Sequence, residues 1–179
     1  MDSQTTPVAE PTTAPLRGAA IVEAIKQSGV EFVVALPDIV TCETVLWPIN
    51  RDPDLKLITV CKEDEGVSIC AGLSYCDKRA LLLMQHTGLL DSINAVRVMA
   101  AEYQLPICMM VGLQGMEPDR VPENSDRLGI RIVEPILRSM GIAYRILENA
   151  DDVASIVPSI DEAYQTPRPV VLIISRSPG

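Results

Sequence analysis

Short aliphatic runs that do not alternate with polar residues constrain this chain more than any other feature. Phe32-Val33-Val34-Ala35-Leu36, Ala80-Leu81-Leu82-Leu83-Met84 and Val170-Val171-Leu172-Ile173-Ile174 contain no polar side chain. A strand with one face in water alternates apolar and polar residues, whereas a strand apolar at every position must be covered on both faces. Amphipathic stretches separate the runs in about six alternations from Leu16 onward, the pattern of β-α-β units. The expected fold is α/β: a single three-layer α/β/α domain with a mainly parallel sheet of about six strands.

The periodicity predicts strands over Phe32–Leu36, Leu55–Cys61, Ala80–Gln85, Pro106–Leu113, Ala143–Leu147 and Val170–Ile174. Helices are predicted over Arg17–Gln27, Cys42–Trp47, from Lys62 through Leu73, and over Asp91–Tyr103, Val133–Met140 and Asp151–Tyr164. Gln114–Ser125, polar and containing two prolines and a glycine, is expected to be an irregular loop. Residues 1–15, rich in Thr, Pro, Ala and Ser, read as a mobile tail before a domain spanning residues 16–179.

Composition removes several function classes. Lys and Arg number 15 against 24 Asp and Glu, a formal charge of -9, so the electrostatic footprint of a nucleic-acid binder is absent. Neither an apolar run long enough to span a bilayer nor a secretory signal is seen, and the cytoplasm is the expected compartment. The five cysteines form no C-x-x-C pair and are expected to be buried free thiols. With His86 the sole histidine, a protein-ligated metal is not expected. A Ser-His-Asp triad is weakly supported, and neither G-x-G-x-x-G nor G-x-x-x-x-G-K-[ST] occurs.

In open α/β sheets ligands bind beyond the carboxyl ends of the strands. Three junctions there carry chemistry: Leu36-Pro37-Asp38-Ile39, Lys62-Glu63-Asp64-Glu65-Gly66 and Gln85-His86-Thr87-Gly88. Each also has a plain structural reading. Pro37-Asp38 can be a turn and cap, the acidic cluster a solvated first helical turn, His86 a hydrogen-bonded structural histidine, and Thr87-Gly88 a simple turn.

Taken together, Ala35-Leu36-Pro37-Asp38, Glu63 with Gly72 nine residues later, Gln85-His86-Thr87-Gly88 and Arg168-Pro169-Val170-Val171-Leu172 resemble the pyrimidine-binding domain of thiamine diphosphate enzymes. The resemblance covers nearly the whole chain from Leu16. It is strongest to the alpha subunits of sulfopyruvate decarboxylases, with phosphonopyruvate decarboxylases second. It implies a thiamine diphosphate-dependent 2-oxoacid decarboxylase subunit that converts sulfopyruvate to sulfoacetaldehyde and carbon dioxide. In that family a glutamate after the second strand hydrogen-bonds the pyrimidine ring of the cofactor and promotes its imino form. Glu63 is the matching position, with Glu65 in reserve.

The resemblance further implies that Pro37, Asp38, Gln85, Thr87 and Gly88 line the cofactor. His86 and Thr87 stand where the decarboxylases resemble Gln-Asn-Ser-Gly. With an ordinary pKa of about 6.5, His86 is a candidate either for protonating the product enamine or for positioning. No Gly-Asp dipeptide occurs and the four asparagines are scattered, so the magnesium and diphosphate half of the site is missing. The family pattern assigns that half to a beta subunit in a hetero-oligomer with at least two copies of each chain. Lys62, Arg97 and Arg120 are candidate donors to the anionic group of the 2-oxoacid. A non-catalytic scaffold and a standalone flavodoxin-like ligand-binding domain are the competing readings.

Overall fold

Strands form where the aliphatic runs lie: β1 (Phe32–Ala35), β2 (Lys56–Thr59), β3 (Ala80–Gln85), β4 (Cys108–Gly112), β5 (Ala143–Leu147) and β6 (Val170–Ile174). The computed structural model describes residues 14–179, so residues 1–13 of the predicted tail lie outside the described residues. At residues 14 and 15 the chain already touches the body. The Ala14 carbonyl accepts from Ala150 N–H at 2.9 Å, and Pro15 bridges Asn149.

All five strand pairings are parallel, in the order β2-β1-β3-β4-β6-β5. Because side chains alternate across a strand, each central strand feeds two cores. Val33, Leu81, Leu83, Met110, Leu172 and Ile174 point to one face. Val34, Leu82, Met84, Met109, Val171 and Ile173 point to the other. The edge strands are blunter: β2 exposes Lys56 and Thr59, and β5 exposes Ala143 and Arg145, which discourages edge-to-edge pairing.

Helices cover both faces. They are α1 (Gly18–Gln27), α2 (Trp47–Arg51), α3 (Glu63–Tyr75), α4 (His86–Asp91), α5 (Ile93–Ala95), α6 (Leu128–Arg131), α7 (Val133–Ser139) and α8 (Ile156–Gln165). Gly66 lets α3 settle onto the sheet, since a Cβ there would stand 2.5 Å from Leu82 Cδ1. Gly72 faces open space.

Several expected boundaries shift. His86-Thr87-Gly88 is not a turn before a later helix but the first turn of α4, preceded by the extended Gln85. The helix expected over Asp91–Tyr103 breaks at Ser92 and ends in a widened coil, in which Tyr103 N–H reaches back five residues to the Val98 carbonyl at 3.0 Å. A matching widened turn precedes α2, where Leu46 N–H reaches the Thr41 carbonyl at 3.0 Å. The short helix α6 was not expected; a four-residue element carries no readable period.

The chain winds outward from β1 to β2, then crosses back to β3 on the other side of β1. The winding direction therefore reverses between β1 and β3. At such a point the strands' carboxyl ends open a crevice, the usual ligand position in this class of sheet.

Candidate functional site

The three sequence junctions lie along the carboxyl edge of the sheet at this reversal. Pro37 and Asp38 follow β1, Glu63 opens α3 after β2, and Gln85 through Gly88 lead from β3 into α4. The tightest relationship joins the last two. The Glu63 side chain lies across Gly88, where a Cβ would stand 2.5 Å from Glu63 Cγ and would overlap the carboxylate. Glu63 is half-buried and makes no hydrogen bond or ion pair among the described residues.

Glu65 is committed elsewhere. Its Oε2 accepts from the backbone N–H groups of Cys61 at 3.1 Å and Lys62 at 3.3 Å, closing the amino end of α3. Of the two acidic candidates, Glu63 alone has both carboxylate oxygens unengaged among the described residues.

Asp38 is 7% exposed, and its carboxylate is turned inward. Oδ1 accepts from Val40 N–H at 2.7 Å and Thr41 N–H at 3.1 Å, and Oδ2 accepts the Thr41 hydroxyl. These bonds fold residues 38–41 over the sheet edge until Val40 abuts Gly112, where a Cβ would stand 2.8 Å from Val40 Cβ. Pro37 remains exposed and, with Asp38, Ile39, Glu43, Trp47 and Pro178, lines an open cleft of about 410 Å³.

His86 is 6% exposed. Its Nδ1 accepts Gln114 N–H at 3.3 Å, and Nε2 faces Gly129, whose Cβ, if present, would lie 3.5 Å away. Burial, chiefly, and the nearby Arg127 charge push the imidazole below its ordinary pKa, against an upward pull from the Gly112 carbonyl. The ring bridges α4, the end of β4 and α6. Beside it, Thr87 is exposed and donates to Gln85 Oε1 at 2.6 Å.

The irregular segment after β4 is well tied. Arg176 donates to the carbonyls of Glu117 at 2.7 Å, Pro118 at 2.9 Å and Arg120 at 3.0 Å, and pairs with Glu148 at 2.9 Å. Glu117 also accepts from the Ser125 hydroxyl at 2.7 Å, an interaction that with the neighbouring backbone donors lowers its carboxyl pKa. Gly112, Gln114, Arg127 and Gly129 join the site in this way. None stood in a recognisable motif, and only the return of β4 beside β3 brings them to the same edge.

The three cations proposed for an anionic substrate already have partners. Lys62 pairs with Asp91 at 3.2 Å, Arg97 with Glu102, and Arg120 with Asp126 at 2.6 Å. The expectation of uniformly buried thiols is corrected too. Cys70 and Cys108 are buried, but Cys61 is exposed just past the edge strand β2 and Cys76 is exposed at the end of α3. Among the described residues, no helix is long and apolar enough to cross a membrane.

No protein-family model matches the chain. It is 30% identical over 159 residues to the sulfopyruvate decarboxylase subunit alpha of Methanothermobacter thermautotrophicus, a match covering 88% of this chain and 94% of that one. To the corresponding subunit of Methanococcus maripaludis it is 38% identical over 96 residues, which span 54% of this chain and 57% of the relative. Among solved structures, a 2-oxoglutarate:ferredoxin oxidoreductase from Magnetococcus marinus superposes with a TM-score of 0.68 at 16% identity, over 98% of this chain and 32% of that one. That likeness speaks to the fold.

Proposed function

Because the chain belongs to the family of sulfopyruvate decarboxylase alpha subunits, we propose that it supplies the pyrimidine-binding half of a thiamine diphosphate-dependent 2-oxoacid decarboxylase. Its substrate is sulfopyruvate, and the other half of the site comes from a beta subunit in a hetero-oligomer. The observation that carries this reading is the Glu63 carboxylate, half-buried at the reversal point, seated on Gly88 and without a donor among the described residues.

When bound, thiamine diphosphate supplies the nucleophilic carbon and electron sink that loss of carbon dioxide from a 2-oxoacid requires. The residues present fit its pyrimidine end. Glu63 would accept a charge-assisted hydrogen bond from the ring. Gln85 and Thr87 offer amide and hydroxyl groups beside Glu63, and Pro37 lies on the same carboxyl edge of the sheet. Asp38 shapes this edge through its backbone bonds and His86 holds the Gln114 segment; both act as positioning residues. No Gly-Asp dipeptide is present to hold magnesium and diphosphate, which supports a partner carrying that half.

The test is carbon dioxide release from sulfopyruvate, phosphonopyruvate and pyruvate by this chain co-purified with its partner, with thiamine diphosphate and magnesium, for the wild type and Glu63→Gln. Turnover that needs both chains and collapses in the variant, with assembly intact, supports the proposal. A stable complex inactive on all three acids points to a scaffold. Preference for phosphonopyruvate changes the substrate and leaves the chemistry.

A further inference from the structure

Sulfopyruvate carries a second anionic group beyond its carboxylate, and this chain is acidic overall, with a formal charge of -9. A local cation is needed to select such a substrate over pyruvate. Five cations stand among the segments at the carboxyl ends of the strands: Lys62, Arg120, Arg127, Arg131 and Arg176. Four are engaged. Lys62, Arg120 and Arg176 pair with Asp91, Asp126 and Glu148, and Arg131 donates to the Ser125 carbonyl at 2.7 Å.

Among the described residues, the Arg127 side chain alone of these five has no hydrogen bond or ion pair. It is exposed, yet its position is defined. The guanidinium packs on Gly115, where a Cβ would stand 2.8 Å from its Cζ. Gly115 has φ +77°, the left-handed region that favours glycine, so bareness and backbone both keep side chains away. From below, the Ser125 hydroxyl accepts Arg127 N–H at 3.1 Å, within the segment that Arg176 ties down. Two residues after Arg127, Gly129 lies against His86, whose Nε2 would stand 3.5 Å from a Cβ there, on the same helical turn as Gly88, which seats Glu63.

We infer that Arg127 is the specificity-determining residue that receives the sulfonate of the substrate, its planar fork donating two parallel N–H bonds to two sulfonate oxygens. The inference rests on the decarboxylase reading above and adds to it the residue that reads the second charge. The guanidinium loses no carboxylate partner on binding.

Two measurements test it on the full chain co-purified with its partner. In the first, the ratio of kcat/KM for sulfopyruvate to that for pyruvate falls about 10- to 100-fold in Arg127→Ala, the range for losing hydrogen bonds to a charged group. The loss lies in KM, and Arg127→Lys falls between. An unchanged ratio in an active complex overturns the inference and leaves the decarboxylase reading standing. The second uses calorimetric binding of 3-sulfopropanoate, which keeps both anionic ends but has no keto group to react. Binding weakened at least about tenfold in Arg127→Ala supports the inference even if no acid is turned over. Equal binding by both proteins, or none by either, overturns it.

Discussion

The carboxylate of Glu63 is positioned by the missing side chain of Gly88, 25 residues later in the chain, and not by a hydrogen bond. A steric seat of this kind leaves every oxygen lone pair of the acid available to a ligand while fixing where the acid stands.

Gly88→Ala therefore separates position from stability. Alanine is favoured over glycine within a helix by up to about 1 kcal/mol, and half-buried Glu63 can swing away from the new methyl group. The variant is expected to melt within a few degrees of the wild type while turnover drops about 100-fold, the effect of misplacing a reacting group by about 1 Å. Thermal melts and carbon dioxide release on the same preparation check both halves.

Glu63 and Glu65 are expected to fail in opposite ways. Glu65→Ala removes the acceptor of the Cys61 and Lys62 N–H groups and costs about 1 kcal/mol, as loss of a helix cap does, with turnover retained. Glu63→Gln leaves the melt unchanged and abolishes turnover. Denaturant titration beside an activity assay distinguishes them.

Buried His86 makes stability depend on pH with a definite sign. Its pKa in the folded chain lies below the unfolded value of about 6.5. Below pH 6.5 the unfolded chain gains a proton that the folded chain refuses, so stability falls as the pH drops from 6.5 toward the folded pKa and is fully present above 6.5. His86→Gln keeps an acceptor for Gln114 N–H but does not titrate. Its unfolding free energy should decline less between pH 7.5 and 5 than that of the wild type, by at most about 1.4 kcal/mol per pH unit.

Arg176→Ala should loosen the segment between β4 and α6, because three carbonyls and Glu148 lose their common donor. Limited proteolysis is expected to cut between residues 114 and 125 at least about tenfold faster, the factor given by losing ~1.4 kcal/mol of local stability. The same change would relax the platform under Arg127 and raise KM for sulfopyruvate.

Thiol titration checks the burial pattern. Cys61 and Cys76 should react at once in the native chain. Cys70, pushed up to about 12 by burial, and Cys108, pushed up further by the same cause, should react only after denaturation.

Strands were legible in the sequence because burial on both faces forces an unbroken aliphatic run, and Ala80 through Met84 is 0–1% exposed throughout. Helix α4 was placed late because nothing in Gln85-His86-Thr87-Gly88 distinguishes a helical first turn from a reverse turn; burial of His86 and Gly88 decides it. Glu63 stood out through the resemblance and its spacing to Gly72, but its seat on Gly88 is a contact between the first turns of α3 and α4. Arg127 was illegible for a further reason: that its side chain lacks a partner among the described residues is settled only once the ion pairs of Arg120 and Arg176 are formed.

The pairing of β4 with β6, which steps over β5 and its flanking helices, bears on how the chain reaches this state. No two neighbouring strands here can join through a tight hairpin, so every rung of the sheet waits on closure of a long loop. Such topologies assemble more slowly than helical bundles, which finish in microseconds to milliseconds. Meanwhile Val170 through Ile174, aliphatic on both faces, has no cover until its neighbours arrive. Chains released in quantity should meet one another during that interval, making yield of soluble protein a matter of synthesis rate and temperature as much as of final stability.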